Sequence, residues 1–281
     1  MDQDVRPMTL GDLETALGWA RAEGWNPGLD DAQAFLVTDP GGFLMGSVDG
    51  TPVSSISLVR YGAGFAFLGL YIVAPDHRGR GLGHALWTQA LDALPPSVVV
   101  GLDGVVAEQD SYARSGFVLA HRNARWGGQV TDLPEGSDAV RTLGPDDLAA
   151  VTAYESGLFP APRESFLTSW IARSPSRRTV GFVEDGRLLG YGCIRSCWEG
   201  WKIGPLLADR PQVADALVAG LVAPVDPGPV FIDVPEPNGA ATALATRIGL
   251  SPSFETARMY RGPAPSLDLE RVYGITTLEL G

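Results

Sequence analysis

The residues most able to do chemistry stand together in Asp76-His77-Arg78-Gly79-Arg80-Gly81-Leu82-Gly83-His84. Glycine at every second position lets a turn aim successive N–H groups into one concavity. A helix opening directly after it adds N–H groups with no intrahelical partner and a partial positive charge. Arg78 and Arg80 bring full charges beside them. Together they suit a diphosphate. A nucleoside-triphosphate loop needs Lys-Ser or Lys-Thr, and neither dipeptide occurs. A dinucleotide fingerprint begun at Gly79 and Gly81 needs glycine at position 84, which is His84. The spacing that remains is Arg78-x-x-Gly81-x-Gly83.

The elements that must hold this turn are legible on both sides. Phe65–Val73 is an apolar run of strand length, and the helix opened at the glycines runs to about Leu94, where Pro95-Pro96 stops it. The rest of the chain echoes itself at an offset of about 130–135 residues, the signature of a repeat. Val5-Arg6-Pro7-Met8 leading to Asp12-Leu13 is matched by Val140-Arg141-Thr142-Leu143 leading to Asp147-Leu148. Each feeds a helix, capped by Thr9 or Asp12 in one and by Asp146 in the other. The hairpin signals Asp49-Gly50 and Asp185-Gly186 correspond. So do Leu102-Asp103 and Ile232-Asp233, Ser115-Gly116-Phe117 and Ile248-Gly249-Leu250, and Ala124-Arg125-Trp126 and Ala257-Arg258-Met259.

The shared order of these landmarks predicts two copies of one domain, 1–130 and 138–281, joined by a polar linker at 131–137. Each half reads strand, helix, helix, three strands, helix, strand, helix, strand. The predicted fold class is α/β (α+β): two tandem domains, each a mixed, largely antiparallel sheet flanked by helices, with one parallel join. Val272–Leu280 reads as one further strand.

Composition narrows the function classes. With 281 residues, 45% hydrophobic and 19% charged, the chain can bury a core. Its 21 basic and 33 acidic residues give a net charge of -12, which disfavours nucleic acid and anionic membrane as partners. No apolar run approaches the roughly 20 residues of a membrane span. Met1 is followed by Asp2 and Asp4 rather than a basic leader, so a cytoplasmic location is expected. Cys193 and Cys197 have no nearby His and offer neither a disulfide scaffold nor a zinc site, so no metal is expected.

Arg78-x-x-Gly81-x-Gly83, after a strand ending in Val73-Ala74-Pro75, resembles the acyl-coenzyme-A loop of the GNAT N-acetyltransferase superfamily. Tyr112-Ala113-Arg114-Ser115-Gly116-Phe117 is similar to a later motif of the same superfamily. The whole chain resembles a tandem GNAT protein with a degenerate second domain. That resemblance implies acetyl-CoA as cosubstrate, its diphosphate on Arg78, Gly79, Arg80, Gly81, Leu82, Gly83 and His84. It implies backbone contacts from Ile72 and Val73 to the thioester, where strands splay near Leu70–Val73 and Val98–Leu102. It also implies direct attack by an amine, with Tyr112 protonating the departing thiolate. Tyr112 packing with Phe117 as plain core is the competing reading.

Many members of the superfamily carry a glutamate base on the fourth strand, but Phe65-Ala66-Phe67-Leu68-Gly69-Leu70 has no carboxylate. Asp103 is the nearest candidate by layout and Glu23 the second. Glu23, Trp25 and Asn26 fall in the loop that borders the acceptor in this fold. The acidic field favours a small cationic amine as acceptor, with the chain a monomer or homodimer. A non-catalytic coenzyme A-binding sensor or interaction module is the alternative function. Aligning the halves on Ala85-Leu86 and Ala216-Leu217 sets Arg210, Gln212 and Ala214 where the first half has Gly79, Gly81 and Gly83. Asp209 replaces Arg78 and Ala245 replaces Tyr112, so one cofactor per chain is expected, in the first half.

Overall fold

The computed structural model describes residues 3–281; Met1 and Asp2, which enter the leader reading, lie outside them. The first half runs β1 (Asp4–Pro7), α1 (Leu10–Ala22), α2 (Asp31–Thr38), β2 (Phe43–Val48), β3 (Thr51–Tyr61), β4 (Phe65–Val73), α3 (Leu82–Asp92), β5 (Val99–Val105), α4 (Gln109–Arg114) and β6 (Val118–Gly128). The second repeats it as β7 (Val140–Thr142), α5 (Leu148–Tyr154), α6 (Glu164–Trp170), β8 (Arg177–Glu184), β9 (Arg187–Ser196), β10 (Trp201–Ala208), α7 (Pro211–Val222), β11 (Val230–Pro235), α8 (Gly239–Arg247) and β12 (Ser251–Arg261). A short β13 (Val272–Gly274) follows, and the tail beyond it to Leu280 is not strand, contrary to the sequence expectation.

Local chemistry explains the boundaries. Thr9 caps α1 in a reciprocal box with Asp12, each satisfying a backbone donor that the helix leaves open. In the second half the carboxylate that does this is Asp147, accepting from Gly144 N at 3.0 Å, rather than the expected Asp146. The hairpins β2–β3 and β8–β9 turn on Asp49-Gly50 and Asp185-Gly186 with φ of 50° and 76° in both, the left-handed pair that matches strand twist.

The described strands join in one sheet ordered β1-β2-β3-β4-β5-β12-β6-β11-β10-β9-β8-β7, with β13 added against β10. The last strand of each copy has crossed over: β12 pairs with β5, and β6 pairs with β11. At the two crossing points Arg258 lies opposite Asp103 and Arg125 opposite Asp233. Both ion pairs are bidentate and buried, at 2.8 and 2.5 Å for Arg258–Asp103 and 2.7 and 2.9 Å for Arg125–Asp233. Buried charges of this kind are tolerated only when matched, so each strand is tied to its place in the other copy's sheet. The helices close apolar cores over both faces; one contiguous core runs from Leu13 and Phe35 to Trp170 and Tyr191 and so spans both halves.

Candidate active site

The site begins where β4 and β5 part. Their parallel pairing covers Phe65–Leu68 with Val99–Leu102. The opening therefore lies between Gly69–Val73 and Asp103–Val105. The expected second wall, Val98–Leu102, is the paired part instead.

A bulge drives the divergence. Ser55 opposes Ile72 and Ser57 opposes Gly69, so Leu70 and Tyr71 share one position on β3. Leu70 takes φ +46°, a left-handed value unusual for leucine, and is held by burial and by Ser55 Oγ donating to its carbonyl at 2.7 Å. Ala74 N–H donates back to Val53 O. Since N–H directions alternate along a strand, Val73 N–H faces the opening and Ile72 N–H faces β3. Of the two backbone donors expected here, the geometry thus favours Val73.

The glycine turn follows directly. Gly79 and Gly81 take φ of 72° and 80°, and the space where their Cβ atoms would project is open. Their glycine character is thus conformational. The first helical bond of α3 runs from Ala85 N to Gly81 O, leaving the N–H groups of Leu82, Gly83 and His84 without main-chain partners among the described residues. These residues fit a diphosphate. His84 is exposed on this first turn, and Arg80 lies at its rim, donating to Asp76 O at 2.6 Å. Gly83 has a different task. A Cβ there would come within 2.7 Å of the Tyr71 hydroxyl and 2.8 Å of Val73, so it lets α3 pack on β4. Leu82 itself is buried. Arg78 turns away from the turn, donating to Val73 O at 2.9 Å and pairing with Glu23 across the groove.

The groove is a cavity of about 430 Å³ lined by residues of both halves. Trp25, Glu23, Arg78, Asp103 and Tyr112 line it, as does Phe254 of β12, which sequence reasoning missed because the strand exchange alone brings it there. Asn26 does not line it. Its side chain instead exchanges hydrogen bonds with the backbone of Glu199 at 2.9 and 3.0 Å. Tyr112 stacks on Trp87 at 5.5 Å, over Gly104, where any Cβ would overlap its ring. Burial, reinforced by the nearby Glu108 charge, pushes its phenol well above the ordinary range, so the proton stays on at neutral pH. Asp103 is not an open base. Its Oδ1 accepts from both Arg258 and Asn123, its Oδ2 from Arg258, and its side chain is wholly buried. Glu23 is likewise engaged, by Arg78. Glu108 is the carboxylate lining the groove that makes no ion pair among the described residues.

The corresponding place in the second half is closed. β10 and β11 pair only over Trp201–Ile203 and Val230–Ile232, and β13 then fills the gap, with Gly274 tight against Ile232 and Leu206. Ile275 N donates to Asp233 O at 2.9 Å. Only Asp209 and Arg210 separate β10 from α7, against residues 74–81 between β4 and α3. The cradle has been deleted, a larger loss than the residue-by-residue substitutions suggest.

Comparison with known proteins places the fold in a family. Residues 11–117 match the model of the acetyltransferase (GNAT) family, and residues 151–274 match that of an acetyltransferase (GNAT) domain. Over 277 residues the chain is 32% identical to a holothin acyltransferase of a Pseudoalteromonas species, covering 98% of this chain and 94% of the relative. A putative acetyltransferase of Pyrococcus horikoshii superposes with a TM-score of 0.84 at 22% identity, covering 100% of this chain and 96% of the other. A tandem GNAT protein from the clavulanic acid biosynthesis pathway gives 0.64 at 18% identity, with 94% and 100% covered. The duplicated fold, the splayed strands and these matches lead to one assignment: the chain belongs to the GNAT acetyltransferase family, as a tandem protein of two fused copies.

Proposed function

We propose that the chain transfers the acetyl group of acetyl-CoA to the amine of a small molecule, using the first half alone. The observation that carries this reading is the continuity of the bulged opening after Leu68 with the Gly79–Gly81 turn and the N-terminus of α3, whose first N–H groups have no main-chain partner among the described residues. When bound, acetyl-CoA supplies the activated thioester. The N–H groups of residues 82–84 hold its diphosphate, and Val73 N–H faces the thioester carbonyl. Tyr112, kept protonated by burial, gives its proton to the departing sulfur. The amine attacks directly, and the proton it sheds passes to water or to Glu108.

The acceptor lies against Trp25 and Phe254. Glu23 and Asp103 already have arginine partners, which weakens the case for a polycation and favours a small amine carrying an apolar or aromatic body. The relative named for holothin supports a small-molecule acceptor. A panel of tryptamine, aniline, spermidine and glycinamide, followed by release of coenzyme A thiol, tests both points. Acetylation of tryptamine or aniline in preference to spermidine is expected. Coenzyme A binding without thiol release from any of them would identify a non-catalytic binder.

A further inference from the structure

The loop between α1 and α2 brings Glu23 and Trp25 to the groove, yet its anchorage lies largely in the second half. Lys202, the single lysine of the chain, is buried in β10 and donates to Trp25 O at 3.1 Å and Asn26 O at 2.7 Å. Arg125 donates to the same Trp25 carbonyl at 2.7 Å. Asn26, at φ +51°, is locked by its two hydrogen bonds to Glu199. Leu29 N donates to Ser196 O at 3.0 Å, and the Arg21 guanidinium sits 4.0 Å above the Trp198 ring. The β9–β10 hairpin is thus a saddle on which the acceptor loop rides.

Resting on the acetyltransferase reading above, we propose that Lys202 and the Asn26–Glu199 contact are positioning residues for the amine acceptor. The closed second copy sets acceptor affinity by fixing Trp25, while leaving the cofactor turn untouched. A buried ammonium is retained here at a cost, since burial and the neighbouring Arg125 lower its pKa to about 8. Its bonds to two loop carbonyls, of which Asn26 O has no other donor among the described residues, repay that cost.

Hydrogen exchange by mass spectrometry on the intact chain, as wild type, Lys202→Met and Asn26→Ala, gives a readout independent of activity. Exchange in residues 23–30 is expected to quicken about tenfold or more in either variant, with residues 82–92 unchanged. In steady-state kinetics KM for tryptamine should rise about fivefold or more, with KM for acetyl-CoA and kcat within about twofold. Should Lys202→Met fail to fold, Asn26→Ala decides alone. Unchanged exchange across 23–30, or a parallel rise of both KM values, overturns the proposal. If wild type does not acetylate tryptamine, the acceptor reading fails and the exchange data still decide for or against the clamp.

Discussion

Tyr112 is defined by what lies beneath it. Gly104 leaves room for its ring and Trp87 holds the ring flat, so the hydroxyl reaches the groove while the body is buried. Tyr112→Phe should lower kcat by about a hundredfold, the scale of a lost general acid, with calorimetric affinity for coenzyme A little changed. Gly104→Ala forces the ring aside and should cost about 1–3 kcal/mol in urea unfolding, together with most of kcat. The tyrosine's motif was legible because Tyr112 and Phe117 keep their spacing. The fate of Asp103 was not. Its partner Arg258 stands 155 positions away, and no local pattern distinguishes a lining carboxylate from one closed by a guanidinium.

Among the elements, the glycine turn was read from the spacing of its glycines between a strand and a helix, because φ near +70–80° at Gly79 and Gly81 has few other solutions. Gly81→Ala meets no steric obstacle and so isolates the conformational cost of about 1–2 kcal/mol. Coenzyme A affinity is expected to fall about tenfold in calorimetry, the equivalent of that strain. The β4 bulge was not legible. Leucine at left-handed φ carries no sequence signal, and burial on the fold imposes it. The same burial acts on Tyr61 and Tyr191, whose phenols are pushed far up. A raised folded pKa means that the unfolded chain releases these protons first. The contribution of these two phenols should therefore hold below pH 10 and fall as pH climbs past it, by up to about 1.4 kcal/mol per pH unit for each group. Lys202, whose folded pKa is lowered, works in the opposite sense over the same range, so the check is the urea midpoint of wild type relative to Tyr61→Phe, which should fall between pH 8 and 10.5.

For the whole molecule, the repeat was visible in the sequence but the exchange of its last strands was not. The echo of Asp103 and Arg125 in Asp233 and Arg258 records two reciprocal ion pairs, and an echo cannot say which aspartate meets which arginine. Strand pairing settles it, and with it the arrival of Phe254 in the first half's groove. Asp233→Asn leaves Arg125 buried and uncompensated, so it should destabilise by about 3–5 kcal/mol. Because one sheet and one core span both halves, the loss should appear as a shift of a single cooperative transition, not as separate melting of the second half. The second copy keeps the fold without the open groove: its strand gap is filled by β13 and its turn is cut to two residues.

Calorimetric titration of coenzyme A into the intact chain, as wild type and with both Gly79 and Gly81 changed to valine, weighs this division of labour most directly. One molecule bound per wild-type chain, and none by the valine variant, is the predicted result. Two equivalent molecules per chain, or undiminished binding by the valine variant, would contradict it.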